Sequence, residues 1–192
     1  MIFICTHEQQ PRYTLPVDYQ IIRPMETELP NIWDKTNYKH LRHIYFIYRN
    51  LHLWNFTDVI TIFQNRRYMT TYDLPEGYDL VCPAWRPNMC TVYNQYCEVH
   101  SKEIIDVSMK VVRKKNYKEF LQHPMTGVPY HNVFTMKRAD FMAYCGFLFY
   151  TLEQIESRVK DFSEAWAIGE RLGAYYLMYN FRKPLVSKLI EL

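Results

Sequence analysis

Two adjacent arginines, Arg66 and Arg67, follow the β-branched segment 59–63, which reads Val-Ile-Thr-Ile-Phe. Guanidinium groups present planar forks of N–H donors that match phosphate oxygens. At the carboxyl end of a central strand, such a pair can hold a diphosphate and stabilise it as a leaving group. The same two arginines can also be solvated charges on the surface. Their predicted position directly after a strand is what favours an anion site.

Four other residues carry groups that suit a nucleotide and its transferred group. In the loop before the first predicted helix, Lys35 can add a point charge to the diphosphate and Asn31 can hydrogen-bond a ribose or a base. His131 and Asn132, which lie between a Pro/Gly loop and a strand, can bind a sugar or an acceptor. Polar loop and turn residues without any ligand are the common alternative for all four.

Glu170 stands beside Arg171 in an otherwise apolar helical stretch. A carboxylate on a mostly apolar face can be a general base with a raised pKa. It can equally be the buried structural partner of the neighbouring arginine, and the sequence leaves the two interpretations level.

Several common chemistries are not indicated. The five glycines form neither G-x-x-x-x-G-K nor G-x-G-x-x-G, and there is no G-x-S-x-G. This argues against a kinase, a classical dehydrogenase and an α/β-hydrolase. The spacing of Cys82, Cys90, Cys97 and His100 lacks the close pairs of a zinc site, so no metal ligands are assigned.

The 192 residues fit one domain, predicted to span 1–192. A net charge of +3 is compatible with an anionic ligand but falls short of a dedicated nucleic-acid binder. The aromatic share of 17% suits sites that stack on flat or sugar-like ligands. Five scattered cysteines, no targeting segment and no apolar run of membrane-spanning length favour the cytoplasm, which is the host cytoplasm if the gene is phage-borne.

Apolar periodicity and turn residues predict the elements that position these groups. Strands are predicted at 2–5, 17–22, 59–63, 78–82 and 133–136. Helices are predicted at 37–50, from about 91, at 101–120, at 140–160 and at 164–180. Strands followed by helices favour an α/β sheet covered by helices. In such sheets ligands bind beyond the carboxyl ends of strands, which selects Thr6-His7, the segment 64–68 and the segment 130–132.

Taken in order, these segments resemble the small glycosyltransferases of the capsular-polysaccharide biosynthesis type, long catalogued as a domain of unknown function. The resemblance covers nearly the whole chain. Its motifs are Ile4-Cys-Thr-His7, Asn31-Ile32 with Lys35 and Asn37-Tyr38, the helix from Leu41 to Asn50, Asn65-Arg-Arg-Tyr68, Tyr78-Asp-Leu-Val-Cys-Pro83, Thr91-Val-Tyr93 with Tyr96 and His100, His131-Asn-Val-Phe-Thr-Met-Lys137, Tyr144-Cys145 with Leu148-Phe149, and Gly169-Glu-Arg-Leu172.

The resemblance implies a GT-A-like α/β fold, with a single Rossmann-like mixed sheet flanked by helices and the donor at its carboxyl edge. It also implies a nucleotide diphosphate sugar donor, of uridine type. Donor contacts would come from Thr6, His7, Asn31, Lys35, Asn65, Arg66, Arg67, His131 and Asn132. Glu170 would be the base and Arg67 would stabilise the leaving group.

The chain departs from the family pattern at several positions. Asn65 stands where the family usually has tyrosine, His40 replaces a glutamate, and Gly146-Phe147 replaces a Glu-Trp pair. The metal-binding Asp-x-Asp of GT-A enzymes is missing, and Arg66 and Arg67 stand at the equivalent strand end. Two cations there can substitute for the charge stabilisation of a metal, so a manganese or magnesium ion is possible but not indicated.

The acceptor is predicted to be a hydroxyl of a surface glycan. An alternative is a phage-type transferase that adds the sugar to a hydroxylated base in double-stranded DNA. The aromatic and basic residues Trp85, Arg86, Tyr93 and Tyr96 can stack on a flipped base or grip a pyranose. A further alternative is a module that binds the nucleotide sugar without catalysis. The sequence decides neither the sugar nor the stereochemical outcome nor the oligomeric state.

Overall fold

The structure is a computed structural model that describes residues 1–8, 10–54, 58–83, 90–129 and 131–192. Its strands are β1 (Ile2–Cys5), β2 (Tyr19–Ile22), β3 (Val59–Gln64), β4 (Arg67–Met69), β5 (Leu80–Pro83), β6 (Phe134–Lys137), β7 (Pro184–Ser187) and β8 (Leu189–Glu191). Its α-helices are α1 (Leu41–Arg49), α2 (Val92–Val99), α3 (Lys102–Val112), α4 (Lys115–Leu121), α5 (Arg138–Glu156) and α6 (Ala165–Asn180).

The strands form one mixed sheet in the order β2-β1-β3-β6-β5-β7, with β4 paired to β3 and β8. Strand β1 is parallel to β2 and β3, whereas β6 is antiparallel to both of its neighbours, β3 and β5. The carboxyl ends of β1 and β3 therefore meet the amino end of β6 at one edge of the sheet.

Both faces of the sheet are buried at its central strands, and the side chains of β1 show how. Phe3 and Cys5 point into a large core that the helices share, and Ile2 and Ile4 point into a smaller core built from strands and loops. Alternate residues of a strand face opposite sides, so an uninterrupted apolar run fits a strand covered on both faces.

The mixed α/β sheet flanked by helices confirms the predicted fold class. The predicted helix over 101–120 is wrong in one respect, because it is two helices, α3 and α4. Arg113 ends α3 in the left-handed region at a φ of 53°, which turns the chain before α4 begins. Strands β4, β7 and β8 were not predicted from the sequence.

The first helix begins later than the sequence pattern indicates. Residues 36–38 form a short 3-10 turn, and Lys39 then adopts a φ of 45°, so α1 starts at Leu41. A positive φ in a residue other than glycine is uncommon and interrupts a helix. The break places Lys39 and His40 beside the sheet edge rather than inside a continuous helix.

Helix α6 packs close to α1 because Gly169 has no side chain. A Cβ built on Gly169 would lie 2.4 Å from Cδ1 of Leu41, which is fully buried. Within the described part of the chain, no helix is both long and apolar enough to cross a membrane.

We expect Gly169→Ala to lower the urea midpoint of unfolding. Overpacking a core costs about 1–3 kcal/mol, and the higher helix propensity of alanine offsets only about 1 kcal/mol. Gly146→Ala in α5 is the matched control, because its Cβ would find no atom nearer than the Tyr48 hydroxyl at 3.8 Å. Equal midpoint shifts in the two variants would contradict the close packing of α6 on α1.

Candidate functional site

A cleft of about 500 Å³ opens at the edge where β1 and β3 end. Register places Cys5 beside Gln64, so the residues that follow each strand face each other across the cleft. The start of α1 forms the third side. The lining comprises Cys5, Thr6, His7, Glu8, Lys39, His40, His43, Gln64, Asn65, Arg66 and Arg67.

Cationic side chains outnumber acidic ones around this cleft. Lys39, Arg66 and Arg67 line it, and Glu8 is the one carboxylate among the lining residues. Lys39 is held by a cation–π contact, with its Nζ 3.8 Å from the ring centroid of Trp166. Arg66 is exposed to solvent at the mouth. Cations fixed along a concave wall concentrate positive potential and favour an anionic ligand.

Arg67 is tied to the last strand of the structure. Its Nε and Nη2 donate to Oε1 of Glu191 at 2.8 and 2.6 Å, and its Nη1 donates to Oε1 of Gln64 at 3.3 Å. Strand β8 pairs with β4 directly at this position, with Glu191 opposite Arg67. The guanidinium is therefore oriented by two partners before any ligand arrives.

The loop before β6 closes the site from the other side. His131 and Asn132 both adopt left-handed backbone, with φ of 72° and 49°. The carbonyl oxygen of His131 accepts a hydrogen bond from the side-chain amide of Gln64. Consecutive left-handed residues other than glycine are strained and persist only where surrounding contacts fix them.

The side chain of Asn132 supplies those contacts. Its Oδ1 accepts a hydrogen bond from the Tyr144 hydroxyl at 2.7 Å, and its Nδ2 lies 3.0 Å from Nε2 of His40. Gly173 of α6 makes room for this network, since a Cβ there would lie 2.6 Å from Oδ1 of Asn132. Because Nδ2 can only donate, Nε2 of His40 accepts and the ring carries its proton on Nδ1.

Glu170 lies behind His40, with its Oε1 3.9 Å from Nε2 of that ring. Its other oxygen is 3.5 Å from Nη1 of Arg171. Burial raises the pKa of the Glu170 carboxyl, and the positive charges of Arg171, Arg67 and Lys39 oppose the rise. The side chain is 8% exposed, so Glu170 is a buried carboxyl at the base of the wall and does not line the open cleft.

Three histidines at the cleft are held neutral. Burial lowers the pKa of His40 to about 3, and neighbouring histidines and cations lower it further. Burial also lowers the pKa of His43 and of His131 to about 4. These rings act at neutral pH as hydrogen-bonding groups, and the permanent charge of the cleft comes from arginine and lysine.

The structure brings most of the predicted donor contacts to this one cleft. Thr6, His7, Asn65, Arg66 and Arg67 line it. His131 and Asn132 join it through Gln64 and His40. The Thr6 hydroxyl accepts from the Glu8 backbone N–H at 2.9 Å, and the Asn65 Oδ1 is buried with no hydrogen-bond partner among the described residues.

Two predicted donor contacts are not brought to the cleft, and this corrects the prediction. Lys35 is paired with Glu156 of α5 at 2.7 Å and lines a different pocket. The amide of Asn31 is used within its own loop, donating to the Leu29 carbonyl and accepting from the Trp33 N–H. The turn at 36–38 and the break at Lys39 separate this loop from the cleft.

Two of the predicted acceptor contacts, Tyr93 and Tyr96, are among the described residues, and both lie in the helical layer. Tyr96 is fully buried under Arg171, with 5.3 Å from the guanidinium carbon to the ring centroid, so it cannot stack on an acceptor. The Tyr93 hydroxyl donates to Asp106 of α3 at 2.9 Å and lies in the helical layer. Trp85 and Arg86 lie outside the described residues.

The sequence analysis did not assign Lys39, His43, Tyr144 or Glu191 to the site, and it selected Gln64 only as part of the segment 64–68. The spacing of three between His40 and His43 was a usable signal, because both then share one face of a helix. No sequence signal pointed to Glu191, since it reaches Arg67 through the pairing of β8 with β4. Among the described residues, no group of three His, Cys, Asp or Glu side chains could hold a metal ion.

Two comparisons with known proteins found similarities, one to a protein family and one to a solved structure with a similar fold. Residues 27–176 match the family described as Domain of unknown function (DUF4422). The solved apo structure of the WbbM bifunctional glycosyltransferase superposes with a TM-score of 0.78 over 100% of this chain, at 15% identity. The present chain spans 45% of that one. No curated protein matches the chain.

The neutral histidines predict how stability depends on pH. The folded state binds fewer protons than the unfolded chain between the folded pKa of about 3 to 4 and the unfolded value of about 6.5, so stability falls as pH drops through that range. We expect His40→Asn to flatten this dependence in urea unfolding measured from about pH 4 to pH 7. His52→Asn, at an exposed position, is the control. An unchanged slope in His40→Asn would contradict the burial of a neutral ring.

Proposed function

This chain belongs to the DUF4422 family, and from that premise we propose that it is a glycosyltransferase using a nucleotide diphosphate sugar. The observation that carries the proposal is the cationic cleft at the carboxyl ends of β1 and β3. In sheets of this kind the nucleotide lies at that edge. The fold shared with a glycosyltransferase supports the same assignment.

The proposed donor is a uridine diphosphate sugar, as the sequence resemblance implies. Arg66 and Lys39 offer positive charge to the two phosphates, and Arg67 offers a guanidinium already aimed by Gln64 and Glu191. Charge that develops on the leaving diphosphate meets fixed cations, which cost little reorganisation during the reaction. Guanidinium and ammonium groups thus supply the charge stabilisation that a divalent ion supplies elsewhere.

The proposed reaction moves one sugar to a hydroxyl. The acceptor oxygen forms a bond to the anomeric carbon, and the bond from that carbon to the diphosphate oxygen breaks with its electron pair. The proposed base is Glu170, as the resemblance implies, and burial raises the pKa of its carboxyl. Because that carboxyl lies behind His40 and does not line the open cleft, the acceptor proton must reach it through a bridging group such as a water molecule. The diphosphate leaves as an anion held by Arg66 and Arg67.

A surface glycan is the proposed acceptor, in line with the capsular resemblance. Recognition of a flipped DNA base loses one of its supports, because Tyr96 is buried and offers no stacking surface. The chain spans 45% of the length of the WbbM structure, so no acceptor or product is taken over from that protein.

Removing either cleft arginine tests donor binding. We expect Arg66→Ala and Arg67→Ala each to weaken binding of uridine diphosphate by about 1–3 kcal/mol, the scale of a charge-assisted hydrogen bond. Isothermal titration calorimetry measures the change. Arg158→Ala is the matched control, because that guanidinium is exposed and its bonds to described residues stay within the end of α5 and the turn that follows it.

Wild-type affinity in both cleft variants would remove the diphosphate role of the arginines. Loss of affinity in Arg158→Ala to the same extent would instead indicate a general effect of net charge.

Replacing Glu170 by glutamine separates catalysis from structure. We expect Glu170→Gln to slow sugar transfer by roughly 10²–10⁴-fold, the usual contribution of a general base. Uridine diphosphate affinity should stay close to that of the wild type, because Glu170 lies behind the cleft wall. Transfer to a hydroxyl acceptor and calorimetry on the same preparation measure the two quantities.

The urea midpoint of Glu170→Gln is the control for its pairing with Arg171. A lowered midpoint with normal turnover by the folded protein would make Glu170 a structural partner only.

A further inference from the structure

A second pocket, of about 310 Å³, lies between α1 and α5. Tyr45 and Tyr48 of α1 form one wall, and Phe149 and Tyr150 of α5 form the other. Gly146 also lines it, and a Cβ there would find only the Tyr48 hydroxyl, at 3.8 Å. The volume falls at the lower end of small-ligand pockets, which measure roughly 300–1,000 Å³.

The aromatic wall presents ring surface and not only hydroxyl groups. Tyr48 and Phe149 are stacked, with planes 17° apart, and Tyr45 meets Phe149 edge to face with centroids 5.0 Å apart. Tyr150 is 65% exposed at the rim. Rings that are half-buried and fixed by their neighbours provide a rigid contact surface at low entropic cost.

Charged groups of both signs border the rings. Lys35 donates to Glu156 at 2.7 Å, and the Tyr38 hydroxyl donates to the same carboxylate at 3.1 Å. Arg49 lies over the Tyr45 ring, and Glu153 is exposed at the pocket edge. The two cations and two carboxylates cancel, so this pocket is neutral where the cleft is cationic.

This balance selects the chemistry of the ligand. A phosphate would face two carboxylates, and a cation would compete with Lys35 and Arg49 for them. A purely apolar ligand would leave these charged groups and the tyrosine hydroxyls without water, which is costly. A pyranose fits both demands, because one face of its ring carries C–H groups that stack on aromatics and its rim carries hydroxyls that donate and accept.

We propose that the pocket between α1 and α5 is a binding site for a neutral hexopyranose, separate from the catalytic cleft. The two sites lie on different sides of α1. His43 turns its Nε2 to the Thr6 carbonyl at 3.0 Å, on the cleft side, and Tyr45 and Tyr48 face α5. The binding itself does not depend on sugar transfer; its use as an anchor for a glycan acceptor rests on the proposed function.

Filling the pocket tests the proposal without removing any hydrogen bond. In Gly146→Leu the new side chain occupies the space beside Tyr48, and leucine is a better helix former than glycine, so the fold should be retained. Gly146→Ala is the matched control, since a methyl group leaves most of the volume open. The probes are the methyl glycosides of galactose, glucose, mannose and N-acetylglucosamine, with methyl glucuronide as the anionic comparison.

We expect at least one neutral glycoside to bind saturably in saturation-transfer NMR, with a dissociation constant on the order of 1 mM. Gly146→Leu should weaken that binding by about tenfold or more, Gly146→Ala should retain it, and methyl glucuronide should bind less well than the neutral glycosides. No saturable binding by any neutral glycoside, or equal binding in wild type and Gly146→Leu, would overturn the proposal.

Calorimetry with uridine diphosphate on the same variants keeps the two proposals apart. Glycoside binding lost in Gly146→Leu together with unchanged uridine diphosphate affinity supports the second site. If glycosides bind and uridine diphosphate does not bind even the wild type, the cleft assignment fails and the saccharide site stands. If only uridine diphosphate binds, the saccharide site fails and the donor cleft stands.

Discussion

The carboxamide of Asn132 is the contact on which the cleft depends. It accepts from Tyr144 on α5 and donates to His40, and it fits only because Gly173 leaves space on α6. Held in this way, the left-handed backbone at 131–132 places the carbonyl that receives the Gln64 amide. Hydrogen bonds and the 131–132 backbone thus connect the helical layer to Arg67, and linked polar contacts of this kind favour one arrangement of their members.

The parts of the fold that the sequence predicted are those that local pattern controls. Segments 2–5 and 59–63 are β-branched or apolar runs that become buried strands, and parallel pairing brings their carboxyl ends together. Strands β4 and β8 have no such pattern. They form because residues 67–69 and 189–191 pair across 120 or more positions of chain, and no local propensity encodes that partnership.

The predicted site shows the same limit at the level of side chains. The position of Arg66 and Arg67 could be predicted because they directly follow a strand. Lys35 was predicted to contact the same ligand, but its side chain pairs with Glu156 of α5. The direction of the Lys35 side chain depends on the turn at 36–38 and on the positive φ of Lys39. Neither feature can be predicted from the residue types. Tyr96 is likewise of a residue type that suits a binding surface, but it lies fully buried in the core.

The pairing of Glu191 with Arg67 means that any anionic ligand of this guanidinium must compete with a carboxylate of the protein. Under the proposed function, an incoming phosphate would not meet a bare guanidinium but would exchange with a carboxylate already in place. The free energy gained at Arg67 would be the difference between the phosphate contact and the Glu191 contact that it replaces. A competitor with one negative charge would therefore gain little by displacing Glu191. Under the proposed function, a ligand with two linked phosphates would engage Arg66 or Lys39 as well, so valency, rather than charge alone, would be the property that this cleft selects.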